Sequence, residues 1–211
     1  MPITSRVAGL LLFALVVSLP GSAFPGEATR AIEGTIAKAR EVLLDSRLRE
    51  EESRFERRDR LRSAMAERFD WSRFSRGVLG VHRRSLTEEQ EKAFEALFRR
   101  LLEATYLSRL DKVLDSVDAD TLNAFRFVDE ETRDDRGVVK AEIDVLERGS
   151  VPMIYSVHRR GDEWMVYDVK VAGVSLVNNY RAQIDAILAR SSYDTLMERL
   201  EDKVAEFDRE D

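Results

Sequence analysis

Three side chains near the end of the chain are of the types that hydrolytic enzymes use. Ser175 lies within "GVSLV" (173–177), and His158 and Asp168 precede it. Such residues serve as nucleophile, base and orienting group when a fold brings them together. A nucleophile elbow has the form Gly-x-Ser-x-Gly, however, and Val177 stands where the second glycine belongs. We therefore expect Ser175 to be the N-cap of a helix rather than a nucleophile.

Asp168 interrupts an apolar stretch, and Tyr167 and Lys170 are close to it in the sequence. A buried aspartate can act as a general base, so a small hydrolase or isomerase that uses Asp168 with His158 or Tyr167 is one hypothesis. More often such an aspartate binds an arginine and holds a turn, and Arg181 is the candidate. The sequence favours this structural role, and no residue is assigned as catalytic.

Other common kinds of site have little support in the sequence. His82 and His158 are the only histidines, there is no cysteine, and neither histidine has a partner at metal-ligand spacing. No glycine-rich nucleotide-binding motif is present. The chain carries 40 acidic and 34 basic residues, a net charge of −6, which disfavours nucleic-acid binding. We expect no metal, no cofactor and no nucleic acid.

The first residues have the pattern of a secretory signal peptide. Arg6 precedes an apolar run over 7–19, and Gly21-Ser22-Ala23 supplies small residues for cleavage. The run is too short for a membrane-spanning helix. We therefore predict a signal peptide at 1–23 and a single secreted domain at 24–211, located in the periplasm.

The first half of the predicted domain is helical. Residues 27–48 and 50–68 have helical spacing of apolar residues, and 69–87 forms a short or broken helix. Thr87 and Gln90 then form a capping box that begins the longest predicted helix. Its apolar stripe contains Phe94, Leu97, Phe98, Leu101, Leu102, Thr105, Leu110, Val113 and Val117.

The second half begins with a change to a period of two. Four segments have the pattern of strands: 123–130, 137–147, 151–160 and 163–173. Polar clusters at 134–137 and 159–162 predict turns, so consecutive strands should be antiparallel. Helices near 175–190 and 192–208 follow. The order predicts an α+β fold: a curved four-stranded antiparallel sheet with helices packed on its apolar face.

Large apolar side chains are abundant around this sheet, and they suit a cavity for a ligand of low polarity. Each methylene removed from water contributes about 0.8 kcal/mol, so such a cavity needs an apolar lining and a mouth rather than catalytic groups. By their position in the period, we assign the lining to Trp71, Phe74, Leu79, Phe94, Phe98, Leu101, Tyr106, Ile143, Tyr155, Val166 and Leu176.

The segment "EWMVYDVKVAGVSLVNNYRAQI" (163–184) resembles the signature of the MlaC family, periplasmic phospholipid-binding proteins also called toluene-tolerance or ABC-transporter auxiliary proteins. Residues 68–110 and 194–200 are similar to two further blocks of the family. Ala172 departs from the pattern, because many members carry an acid there. The matching signature residues are Trp164, Tyr167, Asp168, Val169, Gly173, Val174, Ser175, Leu176, Asn179, Tyr180 and Arg181.

The resemblance implies a soluble carrier that encloses the acyl chains of a phospholipid, its cargo rather than a cofactor, in a lipid-sized cavity between sheet and helices. It implies exchange of that lipid between an outer-membrane lipoprotein complex and an inner-membrane ABC transporter with an MCE-domain subunit, which maintains lipid asymmetry of the outer membrane. We expect a monomer. A carrier of another apolar ligand, such as a hopanoid or sterol, and the enzyme that uses Asp168 remain the alternatives.

Overall fold

The computed structural model of the protein describes residues 25–112, 114, 125–145 and 149–210, so the predicted signal peptide at 1–23 lies outside the described residues. Within these ranges, helices precede and follow one antiparallel sheet. The α-helices are α1 (Glu27–Leu44), α2 (Ser46–Arg49), α3 (Arg54–Ala66), α4 (Trp71–Leu79), α5 (Glu88–Asp111), α6 (Leu176–Leu188) and α7 (Tyr193–Glu210). Short 3₁₀ turns occupy Glu51–Ser53 and Gly80–Ser85.

The sheet has five strands in the order β1-β2-β3-β4-β5, and each strand pairs antiparallel with the next. The strands are β1 (Phe125–Arg133), β2 (Arg136–Val145), β3 (Gly149–Arg160), β4 (Glu163–Val171) and β5 (Val174–Ser175). The α+β fold with a helix-covered antiparallel sheet is confirmed. The fifth strand was not predicted, because a period of two cannot be recognised in two residues.

One face of the sheet is apolar and covered by helices. Val139, Tyr155 and Val169 are Cα partners across β2, β3 and β4, and all three are buried. The opposite face is charged, and there Lys140 Nζ donates to Asp129 Oδ2 at 3.0 Å. Bulges in β1 and β4 bend these strands, which curves the sheet around the helices.

The buried apolar residues form two groups. The first group fills the space between α1, the C-terminal end of α5 and the sheet, with Ile32 and Leu107 among its members. The second group joins α4, the N-terminal half of α5, α6 and α7, and it contains Phe74 and Phe98. The long helix α5 therefore contributes to both halves of the core.

Helix α5 begins as the sequence predicts. Gln90 N donates to Thr87 Oγ1 at 3.2 Å and Thr87 N donates to Gln90 Oε1 at 2.9 Å, which completes the capping box. The helix ends at Asp111. The predicted continuation of its stripe at Val113 and Val117 lies outside the described residues, as do the predicted strand residues 123–124 and 146–147.

The two helices predicted at 27–48 and 50–68 differ from the observed ones. Asp45 is extended and ends α1, and its Oδ1 accepts from Arg47 N at 3.0 Å to cap α2. An aspartate side chain competes for backbone N–H groups, so it favours a helix start over a helix interior. The next long helix begins only at Arg54, after the first 3₁₀ turn.

Candidate functional site

A cavity of about 140 Å³ lies between the apolar face of the sheet and the helices that cover it. Its lining residues are Ile32, Thr35, Ile36, Ala39, Leu43, Leu61, Met65, Arg68, Phe69, Trp71, Phe74, Leu102, Glu103, Tyr106, Leu107, Leu110, Tyr155, Val166, Val169 and Leu176. Most of these side chains are apolar. Such a wall suits hydrocarbon and offers polar contacts at only a few points.

Part of the predicted lining lies on this wall. The structure brings together residues from five different elements that the sequence separates by up to 105 positions. They are Trp71, Phe74, Tyr106, Tyr155, Val166 and Leu176. Their assignment as lipid contacts remains a prediction.

The other predicted lining residues lie elsewhere in the core. Leu79, Phe94 and Phe98 are buried in the second group, against α6 and α7, and Leu101 packs on the same group. Ile143 is buried under the sheet, where its Cα partners are Phe125 and Val151. For Phe94, Phe98 and Leu101 the physical reason is the length of α5, because its N-terminal half faces other helices and only its C-terminal half reaches the cavity.

Most of the helical wall opposite the sheet was not predicted from the sequence. Ile32, Ile36 and Ala39 line the cavity from α1, and Leu61 and Met65 line it from α3. Their helical spacing was visible, but it is equally typical of ordinary core. Only the packing of α1 against β4 and β1 distinguishes these residues from ordinary core, and a local sequence pattern does not predict that packing.

An aromatic cluster forms the wall beside α4. The ring centroids of Phe69 and Trp71 are 4.6 Å apart, and Phe74 lies 5.3 Å from Phe69 and 6.1 Å from Trp71. The guanidinium of Arg99 lies over the Trp71 ring, with its Cζ 5.5 Å from the centroid. This cation–π contact and the edge contacts hold the rings in one arrangement.

A few polar groups interrupt the wall. The buried carboxylate of Glu103 accepts from Arg99 Nε at 2.7 Å, and Arg62 Nε lies 3.7 Å from its other oxygen. The hydroxyl groups of Tyr106 and Tyr180 are 3.1 Å apart. Burial raises the pKa of Tyr106, so its phenol is neutral at physiological pH. On this part of the wall, the carboxylate is therefore paired with arginines and the tyrosine carries no charge.

The turn between β4 and α6 is held by Asp168, but not in the predicted way. Ser175 Oγ donates to Asp168 Oδ2 at 2.6 Å, and Val177 N donates to Asp168 Oδ1 at 3.0 Å. The predicted pairing with Arg181 is wrong, because Arg181 Nε donates to the Gly77 carbonyl at 2.7 Å. Asn178 N donates to Ser175 Oγ at 3.1 Å, which confirms Ser175 as the N-cap of α6.

The hypothetical triad does not form. His158 Nε2 lies 2.8 Å from Asp70 Oδ2, and its Nδ1 lies 3.0 Å from the Arg159 carbonyl oxygen. His82 is bound to Asp185 at 2.9 Å. Ser175 is left with Asp168 and no histidine base. Among the described residues, no group of three or more histidine, cysteine or acidic side chains is arranged to hold a metal ion.

The profile of the family described as MlaC protein matches residues 33–202. The match spans most of the chain and includes every wall of the cavity. The chain belongs to the MlaC family. The sequence signature therefore identified the family correctly.

One curated MlaC relative is the intermembrane phospholipid transport system binding protein MlaC of Haemophilus influenzae. It is 24% identical over 134 residues, which cover 61% of this chain and 59% of that protein. The chain thus matches less than two thirds of that relative's length. The similarity supports membership of the family and does not by itself show the relative's activity in this chain.

A solved structure with the same fold is the phospholipid-binding protein from Ralstonia solanacearum in complex with a phospholipid. The TM-score is 0.68 at 20% identity, and the superposition covers 86% of this chain and 99% of that one. At this identity the comparison shows that the two chains share a fold. None of the helices in the described ranges is long and apolar enough to cross a membrane.

The MlaC signature has a structural meaning in this chain. Trp164 is the second residue of β4, and Asp168 and Ser175 hold the turn that follows it. Tyr180 and Arg181 connect α6 to α5 and α4. The signature thus forms the joint between the sheet and the second half of the core. Most residues of the signature therefore support the elements around the cavity, and only a few of them line the cavity.

Proposed function

We propose that this chain is a periplasmic phospholipid carrier that encloses acyl chains between its sheet and helices. The observation that carries the proposal is the apolar cavity between α1, α3, α5 and the curved sheet. Membership of the MlaC family and the fold shared with a phospholipid-binding protein support it.

Thermodynamics favours such a site for transfer rather than permanent storage. Removing one long acyl chain from water is favourable by on the order of 10 kcal/mol. A bilayer interior and an apolar protein cavity are similar environments, so exchange between them changes the free energy little. A carrier with this lining therefore protects the chains from water and can still release them to a membrane partner.

A two-chain lipid requires more space than the cavity of about 140 Å³ provides. Pockets for ligands of moderate size measure about 300–1,000 Å³. We infer that lipid binding moves α1 and α3 away from the sheet. The strands are joined by backbone ladders. Polar contacts of α1 with the sheet instead use side chains: Glu27 accepts from Arg159 Nη2, and Thr29 N donates to Glu130 Oε2 at 2.7 Å.

The same proposal assigns partners and location. We infer cleavage of the signal peptide at 1–23, a mature monomeric domain at 24–211 and a periplasmic location. The carrier would exchange phospholipid between an outer-membrane lipoprotein complex and an inner-membrane ABC transporter with an MCE-domain subunit, as the auxiliary binding component of that system. An apolar wall suits the binding of a two-chain lipid better than it suits an enzyme's catalysis, so we infer a non-catalytic role.

The two alternative functions, a carrier of another apolar ligand and an enzyme, predict different contents of the cavity. A hopanoid carrier would use the same apolar wall and would hold a polycyclic lipid. An enzyme based on Asp168 would need a free carboxylate oxygen, but both oxygens accept hydrogen bonds from Ser175 and Val177. The geometry therefore favours a structural role for Asp168.

Native mass spectrometry combined with lipid extraction tests the proposal. The protein is purified from its own periplasm without added lipid, and the bound species is identified. A co-purifying two-chain phospholipid supports the carrier, and a bound hopanoid supports the alternative ligand. A reproducibly empty protein that turns over a small substrate would contradict both carriers and favour the enzyme.

A further inference from the structure

Two buried N–H groups on cavity-lining residues have no hydrogen-bond acceptor within the part of the chain that the structure describes. They are Arg68 Nε and Trp71 Nε1. Buried donors almost always bind an acceptor, so two on one apolar wall indicate that a ligand supplies it. By contrast, Glu103 and Tyr106 on the same wall have protein partners at 2.7 and 3.1 Å.

Arg68 also brings an uncompensated positive charge to this wall. Its Nη1 donates to the Trp164 carbonyl at 2.8 Å, and no carboxylate of the described residues forms an ion pair with it. The side chain is half-buried, so it stands between the apolar interior and solvent. Glu103 shares the wall, but Arg99 and Arg62 balance its charge. A guanidinium in this position suits an anionic oxygen of a ligand.

The main chain that carries both donor side chains is held in place. Val166 N donates to the Arg68 carbonyl at 2.8 Å, and Asp70 N donates to the Val166 carbonyl at 2.7 Å, so this segment pairs with β4 like a short parallel strand. Trp71 follows as the first residue of α4. Side chains carried by such an ordered main chain can meet a ligand without ordering of the backbone.

We propose that Arg68 and Trp71 bind the phosphate–glycerol part of a diacyl phospholipid. Arg68 binds an anionic phosphodiester oxygen, and Trp71 Nε1 donates to an oxygen acceptor of the same head region. This inference rests on the proposed lipid-carrier function and adds selectivity to it. The chain should prefer a phospholipid over a diacylglycerol with identical acyl chains, because the two ligands differ only in the phosphate head group.

The first experiment compares two ligands on the wild-type protein. Delipidated mature protein is titrated with dioleoyl-phosphatidylglycerol or dioleoylglycerol in mixed detergent micelles, and occupancy is measured by native mass spectrometry. We expect about tenfold tighter binding of the phospholipid. Equal affinity for both lipids would overturn the Arg68–Trp71 site while leaving the cavity intact. Binding of neither lipid would instead contradict the carrier function itself.

Variants then assign the preference to residues. Arg68→Gln should lower phosphatidylglycerol affinity about tenfold and dioleoylglycerol affinity by less than about twofold. Trp71→Phe, which keeps a ring on the wall, should lower phosphatidylglycerol affinity about threefold. Arg84→Gln, which removes the same charge at an exposed position away from the cavity, is the matched control. An equal loss for both lipids, or the same phospholipid-specific loss in Arg84→Gln, would contradict the proposal. Circular dichroism and urea unfolding report that each variant is folded.

Discussion

Asp70 and His158 form a buried pair in which Asp70 Oδ2 lies 2.8 Å from His158 Nε2. Asp70 Oδ1 also accepts from Arg73 N at 2.9 Å, which caps α4, and its own N–H donates to the Val166 carbonyl. One aspartate therefore connects α4 to β3 and β4. Both of its chain neighbours line the cavity, so this pair positions part of the cavity wall.

Replacing His158 by leucine should lower the free energy of unfolding by about 3 kcal/mol, because Asp70 is then buried without its partner. Urea unfolding measures the loss. His82→Leu is the matched control, since His82 and Asp185 form a partly exposed pair and should contribute less than about 0.5 kcal/mol. Equal losses in the two variants would argue against the structural importance of the buried pair.

Ser175→Ala removes the N-cap of α6 and a hydrogen bond to Asp168, so we expect a loss of about 1–2 kcal/mol in unfolding free energy. Lipid occupancy should be unchanged at a temperature where the variant is folded. Ser63→Ala makes the same change on the exposed surface of α3 and should have little effect. A Ser175→Ala protein of wild-type stability that had lost a measurable hydrolytic activity would support the enzyme hypothesis.

Val166→Trp should fill the cavity, because Val166 is buried on its wall and the free volume is about 140 Å³. We expect phospholipid occupancy in native mass spectra to fall by about tenfold or more, with an overpacking cost of about 1–3 kcal/mol. The control is Val128→Trp, an exposed strand position. Unchanged occupancy in the Val166 variant, with its circular dichroism intact, would refute the assignment of Val166 to the lipid site.

Asp111→Ala should destabilise the protein by about 3 kcal/mol in thermal or urea unfolding. Asp111 accepts from Arg57 Nη2 and Arg58 Nε, each at 2.7 Å, and both arginines are buried. Removing the acid leaves two buried cations near one end of α5. Asp208→Ala breaks the exposed pair with Arg100 and should cost less than about 1 kcal/mol. A small effect at Asp111 would indicate that water reaches this network.

Ala172→Asn should stabilise the protein by about 0.5–1 kcal/mol. Ala172 has a φ of 48° and Gly173 a φ of 83°, and together they form the two-residue loop between β4 and β5. Asparagine adopts positive φ more readily than alanine, and Asn-Gly is the preferred pair for such loops. Differential scanning calorimetry measures the gain, with Ala189→Asn at the end of α6, where φ is −65°, as the control. A decrease in stability at Ala172 would contradict this account of the loop.

The sheet was the most predictable part of the fold. Alternation over 137–145 identified β2, and the polar clusters at 134–137 and 159–162 located the hairpin turns that the structure shows. These features depend on residues close together in the chain, so they can be recognised without knowing the partner strand. The bulges in β1 and β4, which curve the sheet, depend on pairing between strands and were not predictable.

The cavity wall was predictable only in part. Val166 and Tyr155 were expected from strand alternation, and Trp71 and Phe74 from the aromatic-rich helix. Phe94 and Phe98 were expected on the wall as well, but they pack in the second half of the core. A helical stripe reports that a face is buried, and it does not report which neighbour covers it.

The sequence by itself determined the capping box of α5, the strand order of the first four strands, the N-cap at Ser175 and the MlaC family. Each of these depends on residues a few positions apart or on a linear signature. Only the tertiary structure decided which half of α5 faces the cavity, that Arg181 binds Gly77 rather than Asp168, and that Arg68 and Trp71 bring unmatched donors to an apolar wall. Those contacts join residues far apart in the chain, where packing geometry rather than local preference selects the partner.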